Sequence, residues 1–104
     1  AIDTNASLDD ALADADLVYT DCWRRTTDPL EKQRIRDRCL PYQITAAHLS
    51  RLKPGALFLP CPPVTRGEEV SDDAMRSPLC QNYAAKNFLL HAHNAIMEHL
   101  GVNL

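Results

Sequence analysis

The chain contains two short apolar runs, separated by polar and helix-like stretches. Residues 17–20 (LVYT) combine β-branched and aromatic side chains, and residues 56–59 (ALFL) form the longest nearly apolar run. Short runs of this composition, bounded by polar or turn residues, are typical of buried strands. Asp14 and Asp16 precede the first run, and a K-P-G turn at residues 53–55 precedes the second. We therefore predict two strands.

Helix start signals lie on both sides of each predicted strand. Ser7, Thr45 and Ser71 are residues that cap helices well, and Asp28 is followed by Pro29, which fits the first helical position. The expected helices cover residues 8–13, 29–39, 46–52, 72–76 and about 84–100. The helix at 29–39 is mostly charged, so it is expected to face solvent. The last helix repeats apolar residues at helical spacing, which predicts a buried face made of Ala85, Phe88, Leu89, Ala92, Ile96 and Leu100.

Helices and strands alternate along the chain. This order favours an α/β fold with a small parallel sheet flanked by helices, as in part of a Rossmann-like domain. The P-C-P-P segment at residues 60–63 has three residues without a backbone N–H, so it is expected to end the second strand before Pro60 and to form a stiff loop. Asp21 and this loop then lie at the carboxyl ends of strands, where open α/β sheets bind ligands.

The composition is ordinary for a globular protein. The chain has 104 residues, of which 45% are hydrophobic and 24% charged, with a net charge of −3, and its length predicts one domain, residues 1–104. It has no basic stripe of the kind that nucleic-acid binding needs. No apolar run approaches the ~18 residues of a membrane span, and no signal peptide is visible, so a cytoplasmic protein without a membrane or nucleic-acid partner is expected. Because the chain begins at Ala1 rather than Met, we expect a fragment of a longer protein.

The residue types that bind metals are scattered. The cysteines Cys22, Cys39, Cys61 and Cys80 form no C-x-x-C pair, so free thiols are expected rather than a zinc site or a disulfide framework. His91 and His93 are two residues apart on a predicted helix and therefore point about 200° away from each other. No metal site and no cofactor are predicted.

Three motifs carry a resemblance to a known family. They are T-D-C-W at residues 20–23, Y-Q-I-T at 42–45 and R-G-E-E-V at 66–70. In this order and spacing they resemble the carboxyl-terminal, amino-acid-binding domain of the ornithine and aspartate carbamoyltransferases, over nearly the whole chain. The first two motifs and the loop cysteine Cys61 are of the ornithine type. Residues 62–67 (PPVTRG) also resemble the aspartate-type loop, so that alternative stays open.

The resemblance implies transfer of a carbamoyl group from carbamoyl phosphate to the amine of ornithine or a related amino acid. It implies that Asp21 binds the α-ammonium, that Cys61 is a catalytic contact near the reacting groups, and that Pro62 contacts substrate. From the residues alone, Asp21 could instead cap the next turn and Cys61 could be a small buried thiol. Carbamoyl phosphate would bind only with a missing domain that carries an S-T-R-T-R segment, so the chain is expected to be inactive alone. Apolar surface left uncovered predicts a homo-oligomer.

The chain departs from the family pattern at three places. Pro60 stands where the family has a histidine that donates to the carbamoyl oxygen, and Phe88 stands where it has an arginine. An R-T-T sequence at residues 25–27 replaces the S-M-G that holds ornithine. These changes favour an alternative, a non-catalytic carbamoyltransferase-derived binding or assembly domain, although Arg24 or Arg25 could rebuild part of the site for a more acidic substrate. Arg66 is expected to be a loop anchor, or else a substrate contact.

Overall fold

The computed structural model of the chain describes residues 7–102. Within this range the chain folds into five helices and two strands, in an order that confirms the predicted α/β class. The elements are α1 (Leu8–Ala13), β1 (Leu17–Thr20), α2 (Pro29–Cys39), α3 (Ala46–Leu49), β2 (Leu57–Pro60), α4 (Asp72–Met75) and α5 (Asn82–His99), with an unpredicted 3-10 turn at Leu40–Tyr42. The two strands pair in parallel, with Leu17 opposite Leu57 and Thr20 opposite Pro60. No helix within residues 7–102 is long and apolar enough to cross a membrane.

Side-chain caps explain where the first four helices begin. The four predicted capping residues each accept a hydrogen bond from a backbone N–H in the first helical turn, and they are Ser7, Asp28, Thr45 and Ser71. These bonds satisfy N–H groups that have no partner inside a helix. Thr45 also forms a reciprocal capping box, because the His48 Nδ1 accepts from the Thr45 backbone N–H at 3.1 Å.

Helix α3 is shorter than predicted. It ends at Leu49 rather than Leu52. Beyond that point the N–H of Arg51 donates to the carbonyl of His48, and that of Leu52 donates to the carbonyl of Leu49. These three-residue spacings belong to a tighter turn than the α-helix, which leads the chain into β2.

Strand β2 includes Pro60, so the prediction that the strand ends before this residue was wrong. The N–H of Leu57 donates to the carbonyl of Asp16, and the N–H of Cys61 donates to the carbonyl of Thr20. Odd-numbered residues of β2 thus direct their N–H groups toward β1. The nitrogen of Pro60 faces the other side, so its missing N–H removes no bond between the two strands.

The core lies between the sheet and helices α1, α3 and α4. Its buried residues are Leu12, Val18, Ile44, Leu49, Phe58, Val70 and Ala74. Two backbone hydrogen bonds, from the Ile44 N–H to the Glu69 carbonyl and from the Ser71 N–H to the Ile44 carbonyl, hold the segment before α3 beside the segment before α4. These bonds place the R-G-E-E-V motif directly beside the core.

The two longest helices, α2 and α5, contribute little to this core. Helix α2 has no buried residue, which confirms its predicted solvent exposure. The predicted buried face of α5 was wrong: Phe88 is 70% exposed and Ile96 is 56% exposed. The reason is that α5 packs against β2 only near its start, where Asn82 is buried, and the rest of the helix extends past the described core.

Candidate functional site

The carboxyl ends of β1 and β2 bring the predicted site residues to one edge of the sheet. Thr20 and Pro60 are register partners, and the Cys61 N–H donates to the Thr20 carbonyl at 2.9 Å. Asp21 and Cys61 are therefore the first residues after two adjacent parallel strands. This placement agrees with the predicted strand-end location.

Asp21 lies at an apolar cavity of about 450 Å³. Its side chain is exposed, and its Oδ1 accepts a hydrogen bond from the Cys22 N–H at 2.7 Å. The Asp21 carboxylate thus has a local backbone partner, as the alternative role would require, and Asp21 also lines the cavity. The cavity is lined by Leu8, Ala11, Leu12, Ala15, Leu17, Val18, Tyr19, Thr20, Asp21, Trp23, Cys39, Tyr42, Ile44 and Glu69.

Two buried oxygen atoms belong to residues that line the same cavity. Glu69 is only 3% exposed, and its Oε1 accepts a hydrogen bond from the Thr65 N–H at 2.7 Å. Its Oε2 and the Thr20 Oγ1 are buried without a hydrogen-bond partner among residues 7–102. Buried polar atoms without partners are unfavourable, so the Glu69 Oε2 favours a donor from a ligand or water, and the Thr20 hydroxyl favours either a donor or an acceptor. Sequence reasoning did not single out Glu69 as a site residue, although it lies within the R-G-E-E-V motif.

Cys61 and Pro62 line a second pocket, of about 270 Å³, between the end of β2 and the start of α5. The Cys61 thiol is half-buried and its Sγ lies 3.7 Å from the Pro62 carbonyl oxygen, while Pro62 is exposed. Asp21 does not line this pocket, so the predicted ammonium contact and the predicted carbamoyl contacts lie in two neighbouring pockets. Tyr19 lines both cavities and connects them.

Two side chains beside Asp21 have raised pKa values. A hydrogen bond with the Cys61 side chain is the largest cause that raises the pKa of Tyr19, followed by desolvation and by electrostatic interaction with Cys61 and Asp21. Desolvation, followed by the charge and hydrogen bonding of Asp21, raises the pKa of the Cys22 thiol, while Arg25 opposes this effect. Both shifts favour the protonated, neutral forms of Tyr19 and Cys22.

The residues that differ from the family pattern lie in different environments. Pro60 lies in β2, and Phe88 is a largely exposed residue of α5. Arg25, the first residue of the R-T-T sequence, donates from Nη2 to the Thr65 Oγ1 at 2.7 Å, and its Nη1 lies 3.9 Å from a Glu68 carboxylate oxygen. Arg25 thus ties the loop after β1 to the loop before α4.

Arg66 forms an ion pair with Asp72 in α4, with 2.6 Å between Nη1 and Oδ1. Asp72 also pairs with Arg76 at 2.6 Å. This pairing supports the predicted anchoring role of Arg66 and accounts for its guanidinium without a substrate.

Metal-binding side chains do not converge in the described part of the chain. Residues 7–102 contain no group of three or more His, Cys, Asp or Glu side chains arranged to hold a metal ion. The four cysteines are unpaired thiols.

Comparisons with known proteins agree with this fold and with the motifs. A family model described as the Asp/Orn binding domain of aspartate/ornithine carbamoyltransferase matches residues 1–100. Ornithine carbamoyltransferase from Thermococcus kodakarensis is 36% identical over 87 residues, which are 84% of this chain and 28% of that protein. The enzyme of the same name from Psychrobacter is 37% identical over 91 residues, which are 88% of this chain and 30% of that protein.

Solved structures with the same fold carry the same name. The ornithine carbamoyltransferase of Pyrococcus furiosus superposes with a TM-score of 0.78 at 33% identity, over 88% of this chain and 29% of that one. The one from Gloeobacter violaceus gives a TM-score of 0.69 at 31% identity, over 88% of this chain and 29% of that one. The chain therefore spans about three-tenths of the length of the relatives that it matches.

Proposed function

The chain belongs to the aspartate/ornithine carbamoyltransferase family, and we propose that it forms the amino-acid-binding part of an enzyme that carbamoylates ornithine or a related amino acid. The carbamoyl donor in this proposal is carbamoyl phosphate, held by a further domain. The chain alone is proposed to bind the amino acid without catalysing transfer. An ornithine-type substrate is favoured over aspartate because the relatives named above are ornithine carbamoyltransferases.

The adjacency of Asp21 and Cys61 is the observation that carries the proposal. Transfer requires the amino acid and the carbamoyl group to meet in one place, and the pairing of Thr20 with Pro60 brings their proposed contacts to one edge of the sheet. Asp21 offers an exposed carboxylate to an α-ammonium. Cys61 and Pro62 lie in the neighbouring pocket, where the reacting end of the amino acid would extend past Tyr19.

In the proposed reaction, a neutral amine of the substrate attacks the carbamoyl carbon. A tetrahedral intermediate forms, the bond from that carbon to the phosphate oxygen breaks, and the leaving phosphate takes up the proton that the amine nitrogen loses. Orientation by Asp21 lowers the entropy that must be lost at the transition state. Cys61 contacts the reacting groups and forms no covalent bond.

The negative charge on the tetrahedral oxygen needs hydrogen-bond donors. Pro60 supplies neither a side-chain donor nor a backbone N–H, and Phe88 supplies none. Loss of one such donor typically costs about 3 kcal/mol of transition-state stabilisation. We therefore propose that other groups, held by the further domain, stabilise this oxygen in any active form.

Calorimetry on this chain tests the amino-acid site. Ornithine should bind, and Asp21→Asn should weaken its binding by about tenfold or more, because a hydrogen bond to a charged group contributes about 1.5–3 kcal/mol. The control ligand is 5-aminopentanoate, which keeps the amine and carboxylate of ornithine but lacks the α-ammonium, so Asp21→Asn should leave its affinity unchanged. Asp37→Asn, on the exposed helix α2, is the control variant. Equal affinity of ornithine for both forms of residue 21 would contradict the site.

A second experiment tests the reaction. The chain should carbamoylate ornithine only when it is joined to, or mixed with, a carbamoyl-phosphate-binding domain. Isotope-labelled carbamoyl phosphate allows transfer to a panel of amines to be followed by mass spectrometry. Absence of transfer to every amine would contradict the enzymatic proposal while leaving the binding result intact.

A non-catalytic role is the second candidate, and Pro60 is the observation that favours it. A domain kept for binding or assembly has no need of a donor at this position. Under this reading ornithine does not bind the chain, and Asp21→Asn has no effect on any amino acid. A cytoplasmic location is part of both candidates, because four unpaired thiols are typical of proteins in reducing compartments.

A further inference from the structure

A third pocket, of about 230 Å³, lies between the loop after β1 and helix α2. Its α2 side is formed by Ile35 and by Pro29, Lys32, Gln33 and Arg36, the last four of which share one helix face because their spacing is i, i+3, i+4 and i+7. The opposite side is formed by residues 23–26. The lining holds four cationic side chains and a single carboxylate, and these are Arg24, Arg25, Lys32, Arg36 and Glu68.

The positive charges of this pocket are only partly neutralised. Arg24 is paired with Glu31, at 2.7 Å between Nη2 and Oε1. Arg25 has one carboxylate neighbour, at 3.9 Å, and Lys32 forms no ion pair within residues 7–102. Arg36 makes one long contact, 3.5 Å from its Nη1 to the Gly67 carbonyl. Three cations therefore retain free hydrogen-bond donors around a concave surface.

We propose that this pocket binds a small oxyanion with two negative charges, of the phosphate-monoester or dicarboxylate class. Guanidinium groups match both classes because their planar donors can bind two oxygens at once. Arg25 and Arg36 supply such donors from opposite walls, and Lys32 adds a point charge. The small volume and the net charge of −3 of the whole chain do not fit an extended polyanion such as a nucleic acid.

The pocket borders the amino-acid site but has different lining residues. Asp21 and Cys61 do not line it, and none of its four cations lines the strand-end cavity. Trp23 lines both, so the two sites are neighbours that share one wall. Arg25 belongs to the R-T-T segment that stands where the family holds ornithine, so the two sites meet at this segment. The oxyanion proposal does not require carbamoyl transfer and applies to a catalytic or a non-catalytic form of the protein.

Trp23 provides a direct readout, because it is the only tryptophan in the chain. Inorganic phosphate and succinate are titrated separately into the protein at constant ionic strength, and tryptophan fluorescence is recorded. The expected result is a saturable change with at least one of them, and the tighter ligand identifies the class. Sodium chloride at matched ionic strength should give no saturable change. If chloride reproduces the response, the pocket has only a general attraction for anions, and the proposal is wrong.

Charge-neutral variants on α2 test the contacts. Arg36→Gln and Lys32→Gln should each weaken binding by about tenfold, since a hydrogen bond to a charged group contributes about 1.5–3 kcal/mol. Arg34→Gln and Arg38→Gln are the matched controls: they remove the same charge from the same helix but do not line the pocket. Arg25→Gln should also weaken binding. Because Arg25 contacts Thr65, circular dichroism must first confirm that this variant is folded.

Two outcomes would overturn the proposal. A further variant, Asp21→Asn, distinguishes anion binding in this pocket from binding at the amino-acid site. Equal weakening by Arg34→Gln and Arg36→Gln would mean that the response reflects overall charge. Unchanged affinity in all three pocket variants would mean that the anion binds elsewhere. Asp21→Asn should retain the phosphate or succinate response, so loss of ornithine binding in that variant tests the proposed function and not this site.

Discussion

The Thr65 N–H donates a 2.7 Å hydrogen bond to the Glu69 Oε1 and closes a loop around a carboxylate that is 3% exposed. The second oxygen of the same carboxylate is buried without a partner among residues 7–102. Glu69 therefore combines one strong contact, which stabilises the loop, with a buried acceptor, which is unfavourable until a donor reaches it.

Glu69→Ala should destabilise the chain by about 1–3 kcal/mol, because it leaves the half-buried Thr65 N–H without its acceptor. Glu69→Gln keeps the acceptor and removes the buried charge, so it should be less destabilising than Glu69→Ala. Urea denaturation of both variants gives the two free energies of unfolding. If Glu69→Gln is as destabilising as Glu69→Ala, the hydrogen bond to Thr65 is not the dominant contribution.

The ion pairs of Asp72 predict a loss of stability in acid. A hydrogen bond from Arg66 is the largest cause that lowers the pKa of Asp72 below its ordinary value of 3.8, and Arg76 adds to it. A lowered pKa in the folded state stabilises the fold above the unfolded value of 3.8 and loses that effect as pH falls through the folded value. Both groups are well exposed, so the effect should weaken in high salt.

The free energy of unfolding, measured by urea denaturation from neutral to acid pH, tests this dependence. Below pH 3.8, the free energy of unfolding of Asp72→Asn should fall less than that of the unmodified chain. Arg66→Gln should reduce the fall in the same way, because it removes the main partner. Asp37→Asn, on α2, is the control and should follow the unmodified chain. A fall that is unchanged in Asp72→Asn would contradict the prediction.

The two phenylalanines of the chain offer a matched pair for core packing. Phe58, in the middle of β2, is 0% exposed, while Phe88 is 70% exposed on α5. Phe58→Ala should destabilise the fold by about 3–5 kcal/mol, because it removes buried apolar area and leaves a cavity. Phe88→Ala should stay within about 0.5 kcal/mol under dilute conditions. Thermal or urea unfolding measures both, and similar losses in the two variants would mean that α5 is packed more closely than its exposure indicates.

The uncovered face of α5 predicts self-association of this chain. Phe88, Leu89 and Ile96 of α5 and the capping residue Leu100 are each more than half exposed. Sedimentation velocity over a range of concentrations should show a second copy joining the monomer, and Phe88→Ser with Ile96→Ser should weaken that association. Leu30→Ser is the control, because Leu30 is 71% exposed on α2 and outside this face. A clean monomer at high concentration, or equal weakening by Leu30→Ser, would contradict association through α5.

Local chemistry accounts for the elements that sequence reasoning predicted correctly. Strand β1 and the starts of the first four helices follow from neighbouring residues, because a cap such as Ser7 or Asp28 needs only the next helical turn as its partner. The expectation that Arg66 anchors its loop was likewise local, since Asp72 lies six residues away. The family motifs also placed Asp21 and Cys61 at strand ends before their pairing was known.

Sequence alone determined the α/β class, the starts of the first four helices and the strand-end positions of Asp21 and Cys61. Only the tertiary structure decided the rest. It placed Pro60 within β2, because its nitrogen faces away from β1, and it left the apolar face of α5 uncovered, because periodicity predicts a face but not its partner. It also buried Glu69 and joined residues 23–26 to one face of α2. These features depend on contacts between segments distant in the chain, which no local pattern specifies.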